Sequence, residues 1–256
     1  GATRGFLRSM VSLLREPGVT HIGCAFDQTV ESFRNELFAG YKTGEGLDPQ
    51  LFAQFPLAER ASRALGIVTW PMREFEADDA LASVAERLSP EQAVSRVVIC
   101  SPDKDLCQCV QGNRITTFDR RKRILLDEEG VRDKFGVLPE SIPDYLAHVG
   151  DAADGIPGIP RWGAKSSAIV LAKFRHLEDI PADSADWDLP VRGATTLARN
   201  LSDMRQEAEL YRTLATLRRD VPIEQSLEQL RWAGPDRAAL KALCEELGET
   251  AVLQRI

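Results

Sequence analysis

The sequence predicts an α/β domain built on a mostly parallel sheet and followed by an α-helical region, and three observations carry that prediction. Residues 21–26 (HIGCAF), 66–70 (GIVTW) and 96–100 (RVVIC) are short, largely apolar runs of the kind that form strands buried on both faces. Helical periodicity separates them, which suits parallel strands joined by crossover helices. Beyond Gly136 the pattern becomes almost wholly helical, punctuated by Pro and Gly.

Taken in order, Phe6, Leu7, Met10, Val11 and Leu14 fall on one helical face, so residues 2–15 read as an amphipathic helix ended by Pro17-Gly18. The first strand follows and closes on Asp27. Residues 43–49 are polar and read as the most flexible internal segment. A helix over 76–88 separates the second and third strands. Beyond residue 110, segments 115–118 and 124–126 form a hairpin around the basic run Arg120-Arg121-Lys122-Arg123. Helices are expected at 139–148, 164–175, 192–201, 203–218 and 235–247, divided at 155–163, Pro181, Pro222 and Gly234-Pro235. There is no internal repeat.

The 256 residues contain no apolar run near the roughly 20 residues of a membrane span, so no membrane partner is expected. Five cysteines, at 24, 100, 107, 109 and 244, form no CxxC pair, and His21, His148 and His176 stand far apart. That favours free thiols in a reducing, cytoplasmic compartment over a zinc site. Residues 1–7 hold neither an initiator Met nor a signal-peptide apolar region, and read as an internal start. The net charge of -7 argues at first against a polyanionic partner.

The acidity is concentrated. Functional groups of parallel sheets gather beyond the carboxyl ends of the strands. Asp27 closes the first strand, Asp103 and Asp105 follow the third, Glu76, Asp78 and Asp79 open a helix, and Asp151 and Asp154 lie in a glycine-flanked turn. Each group alone has a plain explanation, because carboxylates suit helix N-termini and turns. Eight together would repel one another unless divalent cations neutralise them. Hard oxygen donors without His or Cys select Mg²⁺ or Mn²⁺, and such sites serve phosphoryl transfer or phosphodiester hydrolysis with two or more metals. Setting those eight aside leaves 31 acids against 32 bases, so the rest of the chain is almost neutral.

A second motif points to the substrate. Residues 155–168 form a glycine-rich hairpin leading into a helix, where backbone N–H groups face a phosphate without reading bases. Gly155, Gly158, Arg161, Gly163 and Lys165 are its candidate contacts; Lys173 and Arg175 extend the basic segment, which has no acid between 155 and 177. The plain alternative is a tight turn between helices.

Asp27 after an apolar strand, Phe33-Arg34 with Tyr41-Lys42, Glu76-Ala77-Asp78-Asp79, Asp103-Lys104-Asp105, the run from Gly150 to Gly158, and the run from Leu214 to Pro222 together resemble the 5′-3′ exonuclease and flap endonuclease family. The resemblance runs from about Gly5 to the last residue, and is nearest to the 5′ nuclease domain of bacterial DNA polymerases. It implies a PIN-like nuclease core over 1–136, with a helical arch at about 28–60. A helical subdomain over 137–256 would carry a helix-three-turn-helix element at about 139–176. By motif, Asp27, Glu76, Asp78, Asp79, Asp103, Asp105, Asp151 and Asp154 would hold metal, and Arg34 and Lys42 would act near the scissile phosphate. The hairpin would grip duplex DNA, with K⁺ often bound there. The implied activity is metal-dependent removal of 5′ ends or flaps from nicked or branched DNA, without sequence preference, by a monomer, in replication and repair.

Three departures from the family pattern stand out. The family's opening strand, with a further Asp, lies upstream of Gly5 and is absent here. Thr43-Gly44-Glu45 follows Lys42 where the family has an Arg. Gly155 replaces an Asn, and Arg161-Trp162-Gly163-Ala164-Lys165 replaces a Gly-Ile-Gly-Pro-Lys run. Two rival readings follow from the same residues: a structure-specific DNA-binding module without catalysis, and a PIN-type ribonuclease.

Overall fold

The computed structural model describes all 256 residues. In chain order the elements are α1 (Ala2–Leu14), β1 (Gly23–Asp27), α2 (Arg34–Leu37), α3 (Pro49–Phe52), α4 (Phe55–Ala64), β2 (Val68–Met72), α5 (Ala77–Leu88) and β3 (Val97–Ile99). There follow β4 (Ile115–Asp119), β5 (Ile124–Leu126), α6 (Glu128–Phe135), α7 (Ile142–Val149), α8 (Ala164–Phe174), α9 (Ala194–Asp203), α10 (Arg205–Ala215), α11 (Leu227–Leu230) and α12 (Arg237–Leu247). The chain divides into two compact units, one of Gly1–Ser32, Thr43–Ala80 and Val221–Ile256, the other of Phe33–Lys42 and Leu81–Asp220. The expected boundary at 136/137 falls inside the second unit.

In the first unit, the apolar stripe of α1 is buried as its spacing requires. Leu7, Val11, Leu65, Leu240 and Cys244 are each at most 1% exposed, seating α1 with α4 and α12 around one core. β1 and β2 pair in parallel from Gly23↔Val68 to Asp27↔Met72. Gly23 is required there, because a Cβ would stand 2.1 Å from the Trp70 ring. The C-terminal segment returns to this unit through Trp232 N–H to Thr20 O at 3.0 Å and the Arg8–Glu249 ion pair at 2.6 Å.

In the second unit, β3 and β4 pair in parallel and β4 and β5 antiparallel, the hairpin turning at the expected basic run. Ile99, Leu106, Cys109 and Ile115 bury against Ala82 and Ala85 of α5. A second cluster, including Ile142, Leu146, Leu171, Trp187 and Leu214, joins α7, α8 and α10.

The mostly parallel sheet is present as two short sheets, β1-β2 and β3-β4-β5. Three expectations need revision. The arch segment 28–60 contains only the single turns α2 and α3 before α4: Gly40, Gly44 and Gly46 disfavour helix between them, and Pro49 starts α3 behind the Asp48 cap. Strands β1 and β2 begin two residues later than the apolar runs suggest. α6 lies outside the expected helices: only Val131 of its residues is buried, so it shows no apolar stripe. Its ends carry the signal instead, with Asp127 accepting from Gly130 N–H at 2.9 Å and Gly136 closing it at φ +76°. No helix is long and apolar enough to cross a membrane.

Candidate active site

The second unit builds an acidic centre from two loops. After β3, the Asp103 carboxylate accepts the Asp105 N–H at 3.0 Å and starts a tight turn over Asp105–Cys109. Leu106 and Cys109 anchor that turn in the core, so Asp105 is held inward, 6% exposed. The other loop follows α7. Gly150, at φ +81°, ends the helix, and Asp151 and Ile156 exchange two 2.8 Å backbone hydrogen bonds that close the turn. Lys42 N–H donates to Asp154 O at 3.0 Å, fixing the far side.

Carboxylate oxygens of Asp105, Asp151 and Asp154 thereby come within 4.8 Å of one another. Lys104 donates to Asp151 Oδ2, and its ammonium stands 3.6 Å from Asp105 Oδ1, outside hydrogen-bond range. Lys42 Nζ lies 3.3 Å from Asp154 Oδ1. Asp105 Oδ1 is buried without a hydrogen-bond partner. Burial, and then the Asp103 charge, push the Asp105 carboxyl up to about 8. An all-oxygen donor set with an orphaned buried oxygen fits a hard divalent cation.

The other expected metal residues are placed differently. Asp103 is exposed and acts on the cluster through its turn and its charge. In the first unit, Asp27 Oδ1 accepts the Ala77 N–H at 2.7 Å and Asp79 Oδ2 accepts the Glu76 N–H at 2.9 Å. Ser32 donates to Glu76 Oε1 at 2.8 Å, and Asp78 is half-buried beside them. Asp27 thus ends β1, and Glu76, Asp78 and Asp79 stand at the start of α5.

Arg34 is not presented to solvent. It is 1% exposed, with Nε on Leu214 O at 2.8 Å and Nη2 on Thr216 O at 3.0 Å, and its guanidinium lies over the Phe33 ring. It therefore caps the carbonyl end of α10, where a cation complements the helix dipole. Lys104, by contrast, is absent from the residues that the sequence marks as candidates, although a lysine between two candidate ligands is a signal in itself.

The glycine-rich hairpin continues from the same loop. Gly155 and Gly158 adopt φ +73° and +75°, Ile159 N–H donates to His148 O at 2.8 Å, and Gly163 leads into α8. Arg161 and Lys165 are exposed at its tip and at the first turn of α8. Lys173 and Arg175 are committed elsewhere, to Trp187 O and Glu140 at 2.7 Å each. Trp162, at the family's Ile position, is buried, donates to Leu197 O at 3.1 Å and stacks 4.1 Å from His148. The departure from the family pattern thus fills the space beneath the turn.

His148 is fully buried with neither ring nitrogen hydrogen-bonded, and burial, then the Arg205 charge, lower its pKa to about 3. The folded state keeps it neutral while the unfolded chain protonates it near pH 6.5, so its contribution is present above that pH and is lost as pH falls toward 3. Between pH 7 and pH 5 this amounts to about 2 kcal/mol. Urea unfolding at both pH values should show wild type losing about that much more than His148→Leu. Equal losses would reject a neutral buried imidazole.

The 5′-3′ exonuclease N-terminal resolvase-like domain matches residues 1–136, and the 5′-3′ exonuclease C-terminal SAM fold matches residues 137–238. A 5′-3′ exonuclease of Aquifex aeolicus is 32% identical over 100% of this chain and 84% of its own length. DNA polymerase I of Bacillus caldotenax is 34% identical over 100% of this chain, which spans only 29% of that relative. Among solved structures, T5 5′-exonuclease with divalent zinc ions bound superposes with a TM-score of 0.70 at 20% identity, covering 97% of this chain and 91% of that one. That last likeness speaks to the fold.

Proposed function

The chain belongs to the 5′-3′ exonuclease family, and from that premise we propose that it is a divalent-metal-dependent 5′ nuclease. Its substrates in this reading are DNA 5′ ends, flaps and branched or nicked duplexes of replication and repair, bound by a monomer. The observation that carries the reading is the convergence of Asp105, Asp151 and Asp154 around one orphaned buried oxygen. These three would hold Mg²⁺ or Mn²⁺; Asp27, Glu76, Asp78, Asp79 and Asp103 are proposed as further acidic residues that cleavage requires. When bound, divalent metal lowers the pKa of its water and neutralises charge on the phosphodiester.

The chain's own groups supply the rest. Lys42, half-buried on Asp154, is the cation placed to meet a phosphate at the cluster. Arg34 contributes by holding its segment to α10. Arg161, Lys165 and the first N–H groups of α8 would take duplex phosphates, and the carbonyls of the hairpin would take K⁺. Glu45, exposed three residues beyond Lys42, adds a negative charge where the family pattern has a positive one. Five free cysteines suit action in the reducing cytoplasm.

Incubation in Mg²⁺ with a 5′-flap duplex and, separately, with single-stranded RNA tests the reading. Cleavage of the flap alone supports it; cleavage of RNA without need of a duplex indicates a ribonuclease, and binding of the flap without cutting indicates a binding module. Lys165→Glu should weaken duplex binding alike for all sequences and shallow the slope of log K against log salt by about one to two, read by anisotropy across KCl concentrations. A sequence-dependent loss, or an unchanged slope, would remove Lys165 from the interface.

A further inference from the structure

We propose that Lys104 is a built-in counter-ion of the metal centre: its ammonium stabilises the Asp105–Asp151–Asp154 cluster in the metal-free protein and must leave before divalent metal binds. The inference rests on the metal-site reading above and concerns what competes with it.

Three carboxylates within 4.8 Å, with the Asp105 and Asp151 side chains only 8% and 6% exposed, repel one another strongly in a poorly solvated site. Lys104 is the cation at hand. It donates to Asp151 Oδ2, so it takes a lone pair that a metal ligand must offer. It fails to complete the site, because its ammonium stays 3.6 Å from Asp105 Oδ1, which is left without a hydrogen bond. A divalent ion offers twice the charge and several oxygen positions, so it would satisfy what one ammonium cannot.

Position and reach make the exchange feasible. Lys104 immediately precedes Asp105, so its backbone is fixed by the same anchored turn. Its side chain is 37% exposed, and a long flexible stem lets the ammonium swing into water without moving the turn. Lys42 pairs with the third carboxylate, Asp154, at 3.3 Å, and shares the neutralisation of the cluster with Lys104, which holds Asp151. Binding of metal and seating of the ammonium on Asp151 are then mutually exclusive, and by linkage each weakens the other equally.

The test uses the whole chain stripped with EDTA. Mn²⁺ binding is measured by calorimetry without DNA, and melting with and without Mn²⁺, for wild type, Lys104→Met and Lys104→Arg. Lys104→Met should bind Mn²⁺ about tenfold more tightly and melt at a lower temperature when metal-free, while Lys104→Arg stays near wild type. Unchanged or weaker Mn²⁺ binding by folded Lys104→Met overturns the proposal. In wild type, acetylation of Lys104 followed by mass spectrometry should accelerate when Mn²⁺ is added; an unchanged rate also overturns it, even where Lys104→Met fails to fold without metal. If wild type binds no Mn²⁺ at all, the metal-site reading itself falls and takes this inference with it, a result distinct from equal binding by wild type and variant.

Discussion

Asp151→Ala is expected to cut flap cleavage by on the order of 10³-fold while leaving duplex affinity within about twofold. The backbone of residue 151 closes the loop by exchanging hydrogen bonds with Ile156, and Ala preserves that exchange. The carboxylate does three things: Oδ1 caps the turn through Ala153 N–H at 3.0 Å, Oδ2 receives Lys104, and the group converges with Asp105 and Asp154. Its loss removes one of three close oxygen donors and leaves a 37% exposed lysine free to turn to solvent, so the fold should survive. Duplex binding is assigned to Arg161, Lys165 and α8, none of which Asp151 touches. Steady-state rates beside anisotropy with the same labelled flap separate the two effects. Retained turnover in the variant would show that the cluster is not where chemistry occurs.

Gly158→Ala is expected to cost about 3 kcal/mol of stability and to abolish measurable duplex binding. Gly158 lies at φ +75°, and a Cβ there would meet Gly150 N at 2.6 Å and Val149 C at 2.7 Å. Those are backbone atoms at the end of α7 and cannot step aside as a side chain could. The loop that Gly158 closes also carries Asp151, so cleavage should fall with binding. Gly163→Ala is the matched control: Gly163 has φ -107°, and a Cβ at that position would meet nothing within 4 Å, so stability should change by less than about 0.5 kcal/mol. If both variants unfold at the same urea concentration, the close approach at Gly158 is not a constraint.

What can be read from sequence divides along physical lines. Apolar runs and periodic stripes locate strands and helices because burial imposes them locally, as Leu7, Val11 and Leu14 show for α1. Pairing is not local, so the runs around Gly23 and Val97 do not disclose that their strands belong to separate sheets. The candidate ligands are legible as acids at strand ends and turns. That Asp105, Asp151 and Asp154 converge depends on loop closure by the Asp151–Ile156 exchange and on the anchored turn at Leu106. The resemblance places Arg34 near the scissile phosphate, and arginine is seldom buried; only the tertiary fold supplies the carbonyls at the end of α10 that hold it inside. Lys104 is marked in the sequence only by its place between two candidate ligands; its partner Asp151 is remote in sequence, so the contact itself is not legible there.

At the centre of the proposed function is a divalent cation at the second unit's carboxylates that drives hydrolysis of DNA at a 5′ end. The most direct measurement is the rate of 5′-flap cleavage by EDTA-stripped protein as Mg²⁺ is titrated back. No cleavage without metal, and a saturable rise on adding Mg²⁺ that excess EDTA reverses, is the predicted result. Cleavage that persists in EDTA, or none at any Mg²⁺ concentration with the flap demonstrably bound, would contradict it.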